Sequence, residues 1–364
     1  MKIALVVLTR GSVSGGFEKY IQRMVPLLRQ QPEVERLDLF LPQPMAGPGD
    51  LTWPAHDELR RYRDLRRLIA TRSPDVLFIP TARALRVDNV PVVTMVRNME
   101  PLEVPFEGNG PLESLKNIGR AWAARHSSTH SDRVIAVSEH VRDFILRRWR
   151  IPEEQVGMVY HGIDAANDPA SASRPAELES LADHPFLFTA GSVRPARGLE
   201  DVVVALSKLP AMYKLVIAGK VDRGAEHYER AMRRLARDRG IEERVVWAGK
   251  LDQSEMTWCF RQAEVFVMTS RAEACPNIVL EAMSAGAASV STDHAPMPEF
   301  FGDAALYYRA RDAADLADKL LGVLAERNGL RASLRERARM RAVAFSWEST
   351  ARATVRELQQ ALRD

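Results

Sequence analysis

Only two cysteines occur in 364 residues, Cys259 and Cys275, sixteen positions apart and in no Cys-x-x-Cys pair. That excludes a disulfide scaffold and argues against a structural zinc site, and it suits a reducing compartment. Long apolar runs are missing too. No stretch approaches the roughly 18–20 unbroken apolar residues of a membrane-spanning helix. The opening "MKIALVVLTRGS" is interrupted by charge at Arg10 and carries no small-residue cleavage site, so it reads as a buried first strand rather than a signal peptide. Aromatics make up only 7% of the chain, and no aromatic–basic recognition motif occurs, so nucleic acid is not an expected partner. There is no Asp-x-Asp set after a strand and no Gly-x-Gly-x-x-Gly. His126 and His130 are four apart but have no third ligand nearby, and they read as a solvated pair rather than a metal site.

What is present is a regular alternation. "IALVVL" (3–8), "VLFIP" (76–80), "VPVVTMV" (90–96), "RVIAV" (133–137), "FLFTAG" (186–191), "KLVIAG" (214–219), "RVVWAG" (244–249) and "VFVMT" (265–269) are short, Val/Ile-rich and continuous. Such runs suit strands covered by helices on both faces. Amphipathic stretches at 17–29, 55–72, 139–148, 198–208, 225–238, 254–262, 277–285 and 312–326 fall between them, and the tail from 328 is helical. This predicts an α/β protein with doubly wound parallel sheets. The length suits two domains. The rhythm breaks at 162–185, rich in Ala, Ser, Asp and Pro, which reads as the crossing between two Rossmann-like halves. Residues 1–150 hold 23 Lys and Arg against 17 Asp and Glu, and residues 151–364 hold 28 against 31. A basic first half can face phosphate, anionic lipid or an acidic acceptor. Two Arg-rich amphipathic stretches, 58–72 and 142–150, carry that option to an anionic membrane surface or are ordinary surface helices.

Ligands of open α/β sheets bind beyond the carboxyl ends of the strands, and three glycine-bearing loops lie there. In "TRGSVSGGFEKY", Gly15 and Gly16 before a helix permit close backbone approach, as a tight turn or an anion site. "TAGSVRPARGLED" sets Arg194 and Arg197 beside a helix start, where guanidinium forks and the helix dipole both favour phosphate oxygens. In "AEACPNIVLEAMSAG", Pro276 suits the first turn and makes Cys275 the expected N-cap, a poor one. The amides of Asn277 and Ile278 are then expected to face a ligand oxygen. Glu273 precedes the helix and Glu281 lies on its otherwise apolar face, where a carboxylate needs partners such as paired hydroxyls or core donors.

That last stretch resembles the E-x7-E signature of retaining family 4 glycosyltransferases, which have the GT-B fold. "GGFEKY" resembles their glycine loop, "SDRVIAVSEHVRDFI" their Asp-x-hydrophobic-x-x-x-Ser helix start, and "VGMVYHGID" their Val-x-x-Asn-Gly-hydrophobic-Asp, with His161 in place of Asn. "GSVRPARGLED" resembles Gly-Arg-x-x-x-x-Lys-Gly, "HAPMPEFFGDAALYY" the Gly-x-x-Glu strand turn, and "FSWESTA" the start of the final helix. The motifs run in order along nearly the whole chain.

The resemblance implies two Rossmann-like domains. Residues 1–165 would serve the acceptor and 166–346 the nucleotide-sugar donor, with a helix at about 347–364 packing back on the first. It implies that Glu281 binds ribose hydroxyls and that Glu273, with Ala274, Cys275, Pro276, Asn277 and Ile278 after it, lies at the transferred sugar and phosphate. Arg197 stands at the usual lysine and would neutralise the leaving diphosphate. Ser192 follows Gly191 where arginine is common, so Arg194 would supply that charge. Gly249 and Lys250 would frame the base, and Gly15 and Gly16 would approach the diphosphate. The usual histidine after "VVTMV" is missing. Arg97, Asn98 and Glu100 stand there instead and, with His161, are the acceptor-side candidates.

The implied activity is transfer of a sugar from a nucleotide diphosphate to a hydroxyl with retention, without metal or other cofactor. The acceptor would be a glycan, a lipid-linked saccharide or a small molecule. The implied location is cytoplasmic, with peripheral contact at the membrane's inner face as an option. An epimerase of the same fold would lack the E-x7-E stretch, and a non-catalytic module would bind donor without releasing nucleotide.

Overall fold

The structure is a computed structural model that describes residues 1–8, 15–42, 50–53, 58–164, 172–181, 184–222, 224–326 and 329–363. Its residues cluster into two compact units. The first comprises Met1–Met99, Ile118–Gly162 and Ser346–Asp364; the second comprises Glu100–Asn117 and Ile163–Phe345. The chain thus lends residues 100–117 to the second unit and returns at its end to the first. The boundary expected at 165 lies outside the described residues.

The first unit holds a sheet of seven strands: β1 (Lys2–Val6), β2 (Arg36–Pro42), β3 (Leu51–Trp53), β4 (Val76–Ile79), β5 (Val92–Val96), β6 (Arg133–Ala136) and β7 (Val156–Met158). Their order is β3-β2-β1-β4-β5-β6-β7, and all pairs are parallel. The second unit holds six: β8 (Phe186–Ala190), β9 (Lys214–Ala218), β10 (Val245–Gly249), β11 (Val265–Met268), β12 (Ser289–Thr292) and β13 (Ala305–Tyr308). Their order is β10-β9-β8-β11-β12-β13, again parallel throughout. Both orders reverse direction beside the first strand of their unit, which is the doubly wound pattern. All eight apolar runs read from the sequence became strands.

The helices are α1 (Gly16–Arg29), α2 (Glu58–Ala70), α3 (Glu100–Glu103), α4 (Pro111–Thr129) and α5 (Glu139–Phe144), then α6 (Leu199–Leu206), α7 (Glu226–Asp238) and α8 (Gln253–Gln262). After these come α9 (Asn277–Ala285), α10 (Met297–Phe301), α11 (Ala313–Leu324), α12 (Leu330–Ala342) and α13 (Trp347–Gln360). In α1, Tyr20, Ile21, Met24, Val25 and Leu28 form the buried stripe, the 3.6-residue spacing of an amphipathic helix. Within the first unit α13 is tied down by polar contacts. Thr350 Oγ1 donates to the Tyr160 carbonyl at 2.9 Å, and Arg133 Nε meets the Glu357 carboxylate at 2.5 Å. No helix among the described residues is long and apolar enough to cross a membrane.

Candidate active site

β8 and β11 are parallel neighbours, so the loops that follow them leave the same edge of the second sheet. β8 passes through Gly191 into a short 3-10 turn, Pro195–Arg197, and then α6. β11 passes through residues 269–276 into α9. The two loops are stitched together: the Arg271 amide donates to the Ala196 carbonyl at 2.8 Å, and Thr269 Oγ1 donates to the Arg197 carbonyl at 2.7 Å. Gly198 makes this possible. Its φ is +61°, and a Cβ there would lie 2.5 Å from the Thr269 carbonyl oxygen, a clash with backbone that any side chain would meet.

The stitching brings Arg197 and Glu273 together. Arg197 Nη1 donates to Glu273 Oε1 at 2.5 Å and to Ser270 Oγ at 3.0 Å. Its guanidinium lies against Gly191, where a Cβ would come within 2.7 Å of the guanidinium carbon. Arg194, three residues earlier, points Nη1 at Glu100 Oε2 (2.8 Å) and Asp222 Oδ2 (3.5 Å). Glu100 begins the segment 100–117, which packs within the second unit. Burial raises the Glu100 pKa above the usual carboxylate value, with Arg194 and Arg197 opposing the rise and Asp222 and Glu273 adding to it. The Nε–H of Arg194 and of Arg197 are buried, and neither meets an acceptor among the described residues. Each guanidinium group thus has a carboxylate partner and one buried donor left unsatisfied, an arrangement chemically suited to an anion.

The start of α9 corrects one expectation. Its N-cap is Pro276, one residue later than predicted, and no side chain caps it. Pro276 therefore precedes the first turn, and Asn277 and Ile278 are its first two residues. Glu281 is half-buried between the buried Leu280 and Ala282. Ala274 and Cys275, within the loop that follows β11, are buried. Ser192 follows Gly191 in the β8 loop. Gly249 ends β10, its carbonyl accepting from the Gly219 amide at 2.6 Å, and Lys250 after it is exposed.

The structure thus groups Glu273, Arg197, Arg194 and Glu100. Glu100, one of the acceptor-side candidates, stands at Arg194. The other acceptor candidates and the glycine loop belong to the first unit. Gly15, with φ +62°, precedes α1. Arg97 lies over the rings of Phe17 and Tyr20, 4.4 and 4.9 Å from their centroids, with Nη2 3.5 Å from the Gly16 carbonyl. Asn98 is exposed. His161 is only 3% exposed and sits 5.2 Å from Tyr20 and 6.5 Å from Trp347, ring to ring. His126 and His130 lie ring to ring at 4.2 Å, tilted by 39°, with Trp122 stacked on His126; among the described residues no three His, Cys, Asp or Glu form a metal-binding group. On α2, Leu65 and Ile69 enter the core while Arg63, Arg66 and Arg67 turn outward. With Tyr62 and Ala84 these arginines line an open concavity of about 640 Å³. Asp222 escaped the sequence reading, and so did Asp201, since an acidic residue in the first turn of a helix is a common feature that marks no site.

Known families and proteins match the chain in sequence and fold. The family described as Glycosyltransferase Family 4 matches residues 15–167, and that described as Glycosyl transferases group 1 matches residues 173–341. The chain is 25% identical over 264 residues to a D-inositol 3-phosphate glycosyltransferase of Mycobacteroides abscessus, a match covering 71% of this chain and 57% of that one. It is 24% identical over 292 residues to an alpha-D-kanosaminyltransferase of Streptomyces kanamyceticus, covering 75% and 72%. Among solved structures, Anabaena HepE in complex with UDP-glucose has a TM-score of 0.78 at 16% identity, covering 99% of this chain and 100% of that one, a likeness of fold. Two consecutive family matches on two doubly wound parallel sheets, with curated relatives that are glycosyltransferases, place the chain in the family 4 glycosyltransferases, with the GT-B fold.

Proposed function

We propose that the protein moves a sugar from a nucleoside diphosphate sugar to a hydroxyl of a glycan, a lipid-linked saccharide or a small molecule, with retention of anomeric configuration. The observation that carries this reading is the pair of buried, unsatisfied Nε–H donors on Arg194 and Arg197, the second of which is paired with Glu273. Negative charge develops on the diphosphate as the anomeric bond breaks. Two fixed guanidinium groups stabilise that charge without reorganising, which is the largest single device in such sites. In this reading they do so in place of a metal ion. Glu273 keeps Arg197 Nη1 on one oxygen and offers the other to the sugar, and the free Nε–H of Arg197 takes the diphosphate. Glu281 takes the ribose hydroxyls, and the start of α9 offers its amides to phosphate or sugar oxygen. UDP is the favoured nucleotide, because a neighbour of the same fold holds UDP-glucose. Retention would follow from attack on the face the diphosphate leaves, with the leaving oxygen taking the acceptor's proton. The outward arginines of α2 would rest on anionic lipid when the acceptor is lipid-linked.

The test is a thermal-shift screen of nucleoside diphosphates and their sugars, followed by turnover with the stabilising donor in the presence of a chelator. A shift for one nucleotide, lost in Arg197→Ala and Glu281→Ala, and an NMR-assigned product with the donor's anomeric configuration are expected. A product of inverted configuration, or turnover abolished by the chelator and restored by a divalent ion, would overturn the corresponding part of the reading.

A further inference from the structure

Behind the Arg197–Glu273 pair lies a second layer of charged residues to which the family resemblance assigned no role. Arg271, two residues before Glu273, is 7% exposed and donates to both oxygens of Asp201, at 2.7 and 2.8 Å. Asp201, on the first turn of α6, is 4% exposed. Its Oδ2 also accepts from the Tyr308 hydroxyl at the end of β13 (2.9 Å) and from the Arg311 amide (3.2 Å). Arg311 holds a left-handed backbone, φ +69°, and donates to Glu107 at 2.6 Å. Glu107 Oε1 lies 3.7 Å from Arg271 Nε. The buried Arg271–Asp201 pair is thus flanked, toward solvent, by the more exposed Arg311–Glu107 pair. This cluster joins the β8 loop, the β11 loop, the end of β13 and residues 100–117, which also carry Glu100.

A bidentate guanidinium–carboxylate pair fixes both distance and plane. Here it fixes α6, which begins one residue after Gly198, against the loop that carries Glu273. Burial alone would lower the Arg271 pKa, but the hydrogen bonds and charge of Asp201 more than compensate and hold it fully charged. Asp201 has no spare geometry, because its other contacts come from Tyr308 and the Arg311 backbone.

We propose that Arg271, clamped by Asp201 and Tyr308, is a positioning residue that sets where the Glu273 carboxylate stands relative to Arg197, and thereby sets turnover rather than donor affinity. This rests on the glycosyl-transfer reading. Displacing Glu273 by a fraction of an ångström leaves the diphosphate contacts of Arg197 in place but spoils the alignment of the sugar, and a misplacement near 1 Å costs about 100-fold in rate.

Three variants of graded severity test it: Tyr308→Phe, Asp201→Asn and Arg271→Lys. For Arg271→Lys, kcat per folded molecule is expected to fall about 10- to 100-fold while donor KM changes by less than about threefold. The same substitution in a Glu273→Gln background is expected to change kcat by less than about threefold, because its effect passes through Glu273. Equal, multiplicative losses in both backgrounds would overturn the proposal. So would losses that merely track the folded fraction. Tyr308→Phe, which keeps the ring, guards against an unfolded Arg271 variant and is expected to give a smaller loss of the same kind. An activity-independent arm separates this proposal from the reading beneath it. The stability coupling between Arg197→Gln and Glu273→Gln, measured by urea denaturation, should disappear in Asp201→Asn. Absent turnover in the wild type would remove the reading, whereas a coupling unchanged by Asp201→Asn would remove the clamp.

Discussion

Glu100 Oε2 lies 2.8 Å from Arg194 Nη1, so a carboxylate from the segment that follows β5 neutralises an arginine at the mouth of the β8 loop. In the free protein this pair competes with any diphosphate for Arg194. Burial already raises the Glu100 pKa, and the charges of Arg194 and Arg197 only partly offset that rise. An anion bound to both arginines cancels the offset and raises the pKa further, so donor binding takes up a proton. The sign is then set: affinity increases as pH falls through a range above the ordinary carboxylate value, and the gain is lost as pH rises past the raised pKa. UDP-glucose is the right probe because its diphosphate has no ionisation in that range. Calorimetry should show proton uptake in the wild type and none in Glu100→Gln, whose affinity at high pH should be about fivefold better, roughly 1 kcal/mol for releasing an ion pair of this exposure. Identical pH profiles for the two proteins would show that Glu100 does not gate Arg194.

The two carboxylates of residues 273–281 should separate kinetically. Glu281 is half-buried on α9, and Glu273 stands at Arg197. Glu281→Ala should weaken nucleoside diphosphate binding about tenfold or more, the cost of losing a charged hydrogen-bond partner of about 1.5–3 kcal/mol. Glu273→Gln should leave that binding unchanged or slightly tighter, since it frees Arg197, while lowering kcat about 100-fold. Parallel titrations with UDP and steady-state kinetics with the UDP sugar distinguish the two. A Glu273 variant with wild-type kcat would remove it from the site.

How far the sequence could be read depended on where each residue gets its partners. Strands buried on both faces announce themselves as apolar runs, and the eight runs quoted all became strands. β12 did not, because Ser289, Ser291 and Thr292 are polar yet fully buried; Ser289 and Ser291 bond nearby carbonyls, which no hydropathy pattern reveals. β2 carries Asp38 at its centre and Pro42 at its end, and β3 has only three residues. The local part of the site was legible for the same reason as the strands. Glycine before arginine, and glutamate before a helix, are positional signals. Glu100 and Asp201 were not, since their roles arise from a chain path that carries residues 100–117 into the second unit and from a partner 70 residues away, Arg271. The N-cap was off by one because Pro276 fits either side of a helix boundary.

The basic face of α2 makes a prediction about lipid. Arg63, Arg66 and Arg67 project from a helix whose other face is anchored by Leu65 and Ile69. Near an anionic surface each exposed arginine contributes about 1 kcal/mol. Replacing all three with glutamate should abolish sedimentation with phosphatidylglycerol vesicles at low salt and leave the turnover of a soluble acceptor within about twofold. Wild-type protein that ignores such vesicles would restrict α2 to a solvated face.

Gly198 offers the sharpest structural test, because its cost can be divided. A Cβ at Gly240 meets nothing within 4 Å although φ is +65°, so Gly240→Ala measures the left-handed penalty alone, about 1–2 kcal/mol. Gly198 has nearly the same φ, +61°, but its Cβ would fall 2.5 Å from the Thr269 carbonyl and 2.7 Å from Arg271 Nε. Gly198→Ala should therefore cost about 2 kcal/mol more than Gly240→Ala in urea denaturation, in line with an overpacked core. It should also lower kcat, because the only way to admit the methyl group is to part the two loops that hold Arg197 and Glu273 together. Gly240→Ala should leave kcat alone. If both variants lose the same stability and keep the same turnover, the loops have slack, and the close approach at Gly198 does not set the site.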